Sequence, residues 1–464
     1  MDYKFPKDFM FGTSTASYQI EGGWNEDGKG ENIWDRLVHT SPEVIKDGTN
    51  GDIACDSYHK YKEDVAIIKD LNLKFYRFSI SWARIAPSGV MNSLEPKGIA
   101  YYNNLINELI KNDIIPLVTM YHWDLPQYLQ DLGGWVNPIM SDYFKEYARV
   151  LFTYFGDRVK WWITFNEPIA VCKGYSIKAY APNLNLKTTG HYLAGHTQLI
   201  AHGKAYRLYE EMFKPTQNGK ISISISGVFF MPKNAESDDD IETAERANQF
   251  ERGWFGHPVY KGDYPPIMKK WVDQKSKEEG LPWSKLPKFT KDEIKLLKGT
   301  ADFYALNHYS SRLVTFGSDP NPNFNPDASY VTSVDEAWLK PNETPYIIPV
   351  PEGLRKLLIW LKNEYGNPQL LITENGYGDD GQLDDFEKIS YLKNYLNATL
   401  QAMYEDKCNV IGYTVWSLLD NFEWFYGYSI HFGLVKIDFN DPQRTRTKRE
   451  SYTYFKNVVS TGKP

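Results

Sequence analysis

The chain has 464 residues, a formal net charge of −7, and 42% hydrophobic and 15% aromatic side chains. With 14 Trp, 33 Tyr and 24 Phe it is no disordered chain, and its length allows a large core. The acidic balance and lack of a long basic arm argue against a nucleic-acid partner, and no apolar run approaches the ~20 residues of a membrane span.

Short apolar runs rich in β-branched and aromatic residues recur from end to end. They predict strands at 10–14, 75–81, 114–121, 161–165, 220–226, 303–307, 370–373 and 410–416. Their hydrophobicity is continuous rather than alternating, which suits strands buried on both faces of a parallel sheet. Amphipathic stretches at helical spacing lie between them, at 58–71, 102–111, 142–155, 192–213 and 384–407. Thr290 with Glu293 makes a capping-box pair, and Pro351 suits a first helical turn.

Eight strands alternating with helices predict an α/β fold, a single-domain (β/α)8 TIM barrel over residues 1–464 with long loops at its C-terminal face. A doubly wound open sheet is the alternative, but it would usually carry a glycine-rich phosphate turn, and none is visible. The Pro-, Asn- and Gly-rich segments 38–55, 180–190, 261–289 and 317–350 read as barrel loops.

The remaining features bound the chemistry. Cys55, Cys172 and Cys408 are far apart in sequence, so no disulfide framework is expected, and Cys172 reads as a buried, inert thiol. No His/Cys cluster has metal-ligand spacing, and no nucleotide motif appears, so neither metal nor cofactor is expected. The N-terminal residues hold no apolar segment of a secretory signal, which points to a cytoplasmic protein. Glycosylation sequons at Asn342 and Asn397 are then expected to go unused. The basic run 444–449 reads as a solvated surface segment.

In a parallel barrel the chemistry sits at the carboxyl ends of the strands. Those ends are unusually polar and aromatic here. Tyr18-Gln19-Ile20-Glu21 follows the first strand and Arg77 lies in the second. Tyr121-His122-Trp123-Asp124 ends the third, and Asn166-Glu167-Pro168 the fourth. Asn307-His308-Tyr309 ends the sixth, Thr373-Glu374-Asn375-Gly376 the seventh, and the eighth runs into Trp416, with Glu423-Trp424 just beyond. Any one such residue is more simply a satisfied core polar group. Their recurrence at seven of eight strand ends, with two carboxylates among them, suits glycoside hydrolysis, where one carboxyl protonates the leaving oxygen and another attacks or activates water.

These segments resemble the family 1 glycoside hydrolases, the retaining β-glucosidase family. The matching stretches are FMFGTSTASYQIEGG, FYRFSISWARI, TMYHWDLPQ, WWITFNEP, FYALNHYSSR, LLITENGYG and GYTVWSLLDNFEWFYGY, and they span essentially the whole chain. The resemblance implies that Glu374 is the nucleophile and Glu167 the acid/base, ~5–5.5 Å apart as retention requires. It implies that Arg77 and Tyr309 hold the nucleophile ionised, and that Gln19, His122, Asn166, Asn307, Trp416, Glu423 and Trp424 bind the sugar. Glu423 would repel a phosphate, so a neutral glucosyl or galactosyl unit is indicated.

Within that family the chain is similar to insect (aphid-type) myrosinases, β-thioglucosidases that hydrolyse glucosinolates. This implies cations facing a sulfated aglycone, with Lys173 and Arg312 as candidates and Tyr180 as a further aglycone contact. Glu167 stands where plant myrosinases carry Gln and use ascorbate, so no ascorbate requirement is expected. An ordinary O-β-glucosidase stays open as the alternative, and a non-catalytic sugar-binding member of the family is the remote one. Relatives are often homodimers, and analogy alone extends that here.

Overall fold

In the computed structural model, residues 3–177, 180–319, 325–341, 344 and 346–464 are described. Eight parallel strands close into a barrel: β1 (Met10–Ser14), β2 (Phe75–Ser79), β3 (Ile115–Tyr121), β4 (Trp161–Asn166), β5 (Lys220–Ile225), β6 (Tyr304–Asn307), β7 (Leu370–Asn375) and β8 (Val410–Trp416). Each pairs with its neighbour in chain order, and β8 returns to β1 in register from Met10 opposite Gly412 to Ser14 opposite Trp416. This is the (β/α)8 barrel expected from the pattern.

The lower interior is filled by Phe75, Leu117, Ile163, Phe303, Ala305 and Leu371. Gly12 makes room for that layer, since a Cβ there would sit 2.4 Å from the Phe75 ring. Helices such as Ser57–Asp70, Pro96–Lys111, Met140–Phe155, Lys187–Met212 and Phe386–Tyr404 cover the outside and bury their apolar faces on the strands. The capping box of Thr290 and Glu293 forms as expected, with Thr290 Oγ1 accepting from Glu293 N–H at 3.2 Å and Glu293 Oε2 accepting from Thr290 N–H at 2.7 Å. Pro351 opens the helix Pro351–Tyr365.

Three segments depart from the sequence reading. The stretch 261–289 holds a helix, Pro266–Glu278, whose lysine-rich face masks its apolar stripe of Met268 and Val272. The stretch 317–350 holds a strand, Tyr330–Ser333, which pairs antiparallel with Ser311–Phe316; that strand in turn runs parallel to Phe229–Pro232 in a small sheet beside the barrel mouth. The basic run 444–449 is not simply solvated. Arg446 Nε donates to Asp64 Oδ1 at 2.9 Å, and the buried Arg449 donates to Asp379 at 2.8 Å and Asp420 at 2.7 Å. Its arginines thus clamp the C-terminal segment to the barrel.

Of the sequons, Asn342 lies outside the described residues and Asn397 is exposed on the helix Phe386–Tyr404. All three cysteines are buried and free, and burial pushes the Cys172 thiol well up from its ordinary value.

Candidate active site at the barrel mouth

Sheet register breaks where the two carboxyl-bearing strands end. The β4–β5 pairing shifts between Ile163 and Asn166, and the β6–β7 pairing between Ile372 and Glu374. Such bulges turn side chains out of the regular alternation and aim them across the barrel. Glu167 then takes a left-handed conformation, φ 47°, and Pro168 starts the helix Pro168–Lys173 directly behind it. Glu374 is the fifth residue of β7, inside the strand rather than after it.

The two carboxyls open into one cavity of about 520 Å³ at the barrel mouth. They sit in opposite environments. Glu374 Oε1 accepts from Arg77 Nη1 at 2.5 Å, and its Oε2 accepts from the Tyr309 hydroxyl at 2.7 Å. A buried cation and a hydroxyl donor thus hold and orient this carboxylate. Glu167 accepts from neutral donors, Asn307 Nδ2 at 2.7 Å and Ser226. Burial, and next the charge on Glu374, push its carboxyl up to about 7.

A continuous hydrogen-bond chain fixes the spacing of the pair. Asn307 Nδ2 also donates to Asn166 Oδ1 at 2.9 Å, and Arg77 Nη2 donates to the same oxygen at 2.6 Å. Ser224 and Thr373 hydroxyls donate to Asn307 Oδ1, which sets that amide the right way round. Asn166 Nδ2 in turn donates to His122 Nε2 at 2.9 Å. Burial and the neighbouring Arg77 hold His122 well below its usual pKa, so the ring is neutral. With Nε2 accepting, its proton is assigned to Nδ1, which has no partner among the described residues.

Aromatic rings line the opposite wall. Trp424 lies 4.4 Å from Trp123 and 5.9 Å from His122, centroid to centroid, and Trp416 lies 6.0 Å from His122. Beside them Glu423 is pushed up to about 8 by burial and by Glu374 and Glu167. Gln19 stands behind this wall, its amide donating to Asn421 Oδ1 at 2.9 Å and Phe422 O at 2.8 Å, so it braces the segment that presents Glu423.

Eleven of the expected residues line the cavity: His122, Asn166, Glu167, Lys173, Tyr180, Tyr309, Arg312, Glu374, Trp416, Glu423 and Trp424. Arg77, Asn307 and Gln19 stand behind it and orient those that do. The outer cations differ from each other. Arg312 is held by three hydrogen bonds to protein oxygens, donating to Ser310 Oγ at 2.6 Å, Ser311 O at 2.9 Å and Tyr346 O at 2.7 Å. Lys173, at the end of its helix, makes no ion pair among the described residues.

Sequence reasoning gave no site role to Glu251, Tyr346, Phe425 and Tyr426, nor to Trp123, which it named only within a strand end, and all of these line the cavity. Trp123 was findable, because it sits inside the His122–Asp124 stretch. Nothing local marks Glu251, which looks like one more residue of an amphipathic helix.

A parallel barrel that presents two unlike carboxyls from β4 and β7, with amides and indoles around them, has the layout of a glycosidase. The chain belongs to glycosyl hydrolase family 1, whose sequence profile matches residues 1–464. It is 44% identical to the lactase/phlorizin hydrolase of Rattus norvegicus over 99% of the chain, and it spans only 24% of that protein. It is 40% identical to the cytosolic beta-glucosidase of Homo sapiens, covering 98% of each chain. Among solved structures, the GH1 beta-glucosidase of the fungus Humicola insolens in complex with glucose is similar, with TM-score 0.92 and 37% identity over 99% of this chain and 98% of that one. The family 1 beta-glucosidase of Thermotoga maritima is similar at TM-score 0.88 and 38% identity, covering 99% of both chains. These relatives bear the names of lactases and β-glucosidases. They do not carry the insect-myrosinase affinity expected from the sequence.

Proposed function

We propose that the protein is a retaining β-glycosidase that hydrolyses β-glucosides, with O-glucosides of neutral aglycones as its principal substrates. The observation that carries this reading is the unlike setting of the two carboxyls. Glu374, under two donors, is the anion that attacks the anomeric carbon, and Glu167, pushed up to about 7, carries the proton that goes to the leaving oxygen.

Attack converts Glu374 into a neutral glycosyl ester. Part of the charge that raised Glu167 is then gone, so its pKa falls and, having given its proton to the leaving group, it stays ionised and available to accept one from water. Water adds to the anomeric carbon, its proton goes to Glu167, and Glu374 leaves as carboxylate. Two inversions give net retention. Asn166 Nδ2 and His122 Nδ1 are positioned to serve the sugar hydroxyls, and Trp416 and Trp424 its apolar face. Glu423 recognises a neutral hexose. Glu374→Gln is expected to cut kcat at least ~10³-fold while glucose still binds by calorimetry. Unchanged turnover would remove Glu374 from this role.

A second reading, hydrolysis of sulfated thioglucosides, is favoured by one observation. Lys173 brings to the aglycone half of the cavity an ammonium that makes no ion pair among the described residues. Comparing kcat/KM on a glucosinolate and on a neutral aryl β-glucoside, without ascorbate, separates the two. Preference for the glucosinolate establishes the thioglucosidase, and preference for the neutral substrate establishes the O-glucosidase.

A further inference from the structure

The aglycone half holds a carboxylate that the reaction does not use. Between the helices Asp238–Asn248 and Trp254–Lys261 the chain makes one widened π-turn, Gln249–Gly253. Such turns accommodate an extra residue and re-aim the side chains they carry. Here the turn directs Glu251 to the cavity wall, where it is only 7% exposed.

The loop after β5 is shaped around this side chain. Gly227 has φ 134°, and a Cβ on it would lie 2.4 Å from both Cγ and Oε1 of Glu251. Any larger residue at 227 would displace the carboxylate. The neighbouring Arg252 acts on Glu251 through its charge, but its N–H groups go to Val228 O at 2.8 Å, Gly227 O at 2.5 Å and Asn248 Oδ1 at 3.2 Å and not to the carboxylate. The other cation that acts on Glu251 is Lys173, which lines the same cavity. Among the described residues neither forms an ion pair within 4.0 Å. They line one space without closing on each other.

We infer that Glu251 is a specificity-determining residue: it offsets the charge of Lys173, so the aglycone half discriminates substrates by the pair and not by the lysine alone. The inference rests on the glycosidase reading of this cavity. An anionic aglycone meets attraction from Lys173 and repulsion from Glu251, and a neutral one meets neither at full strength. A structural carboxylate would treat the two aglycones alike. A charge-setting one changes their ratio.

The test compares 4-nitrophenyl β-glucoside with an aryl β-glucoside bearing a carboxylate on its ring, in wild type, Glu251→Gln, Lys173→Met and the double variant. The ratio of kcat/KM, anionic over neutral, is expected to rise ~10-fold in Glu251→Gln and fall ~10-fold in Lys173→Met, with both changes shrinking in high salt. The double variant should return near the wild-type ratio. A ratio unmoved in Glu251→Gln, or an equal loss on both substrates, overturns the inference. If Glu251→Gln does not fold, the salt dependence of Lys173→Met decides: with Glu251 left to repel the anionic aglycone its ratio rises in high salt, and a ratio flat in salt overturns the inference. If wild type turns over neither glucoside, the glycosidase reading has failed separately, and the ratio of calorimetric Kd values for the two glucosides still tests Glu251.

Discussion

The proton on Glu167 gives the most direct test of the catalytic reading. Its carboxyl moves from an ordinary 4.5 to about 7 through burial and the nearby Glu374 charge. The acid form is needed for leaving-group departure, so kcat/KM must be lost as pH rises through about 7. At pH 8 about one molecule in ten would keep the proton, whereas an unshifted carboxyl would keep it in only ~1 in 300 at pH 7. The shift corresponds to ~3 kcal/mol between the two protonation states. The assay is kcat/KM from pH 5 to 9 on two aryl β-glucosides, one with a poor and one with a good phenol leaving group. The poor leaving group should show the full alkaline fall, and Glu167→Gln should lower it ~10²–10⁴-fold and flatten its alkaline limb. The good leaving group should lose much less. An alkaline limb that survives Glu167→Gln, or equal losses on both substrates, refutes the assignment.

Other perturbations report on the frame around the site. Glu423, pushed up to about 8, binds its proton more tightly folded than unfolded, so it costs stability progressively from about pH 4.5 to about 8. Glu423→Gln should therefore raise Tm more at pH 8.5 than at pH 4.5 while weakening sugar binding; a Tm gain independent of pH would contradict the sign. Arg449→Met leaves Asp379 and Asp420 buried without that cation and should cost ~3–5 kcal/mol in urea unfolding; a loss below ~1 kcal/mol would mean that Lys388 and His431 suffice. Gly12→Ala drives a methyl into the Phe75 ring and should cost ~1–3 kcal/mol, with recovery in Gly12→Ala/Phe75→Leu; additive losses would refute the clash.

What the sequence disclosed, and what it hid, follows from the range of the forces involved. Strands buried on both faces must be apolar throughout, so all eight were visible as runs. Glu167 and Glu374 were visible because each follows such a run directly. The limits of β7 were not, since the apolar run stops at Thr373 while the backbone pairing continues through Asn375. The run 444–449 looked solvated because its partners are remote, Asp379 lying 70 residues from Arg449 and Asp64 382 from Arg446. Glu251 stayed hidden for a different reason. A π-turn changes which face a residue takes without changing its local composition, so nothing in the sequence around Glu251 marks its side chain as facing the cavity. Asn307 read as a sugar ligand through the family resemblance, yet three side chains and Glu167 already engage its amide.

The charge arrangement at the barrel mouth also bears on which leaving group the site is built for. Four carboxyls, Glu167, Glu251, Glu374 and Glu423, line the cavity, and the guanidinium of Arg77, which stands behind it, is committed to Glu374. Burial and repulsion from the neighbouring carboxylates then favour the protonated forms of Glu167 and Glu423, the two nearest Glu374 in charge coupling. Holding Glu167 protonated near neutrality has a use only if the departing atom needs that proton. An alkoxide or unactivated phenoxide does; a thiolate stabilised by an attached sulfated oxime needs it far less. The unlike carboxyls therefore speak for O-glucosides, and Lys173 speaks for anionic aglycones. The two are reconciled if the lysine's charge is offset by Glu251, because the cavity is then polar without being selectively cationic. On that argument, removing Glu251 should move the enzyme toward anionic substrates without altering its need for the Glu167 proton: the alkaline limb on a poor neutral leaving group should stay near pH 7 in Glu251→Gln. A limb displaced by a full pH unit would show that Glu251 acts on the acid itself and not on the aglycone.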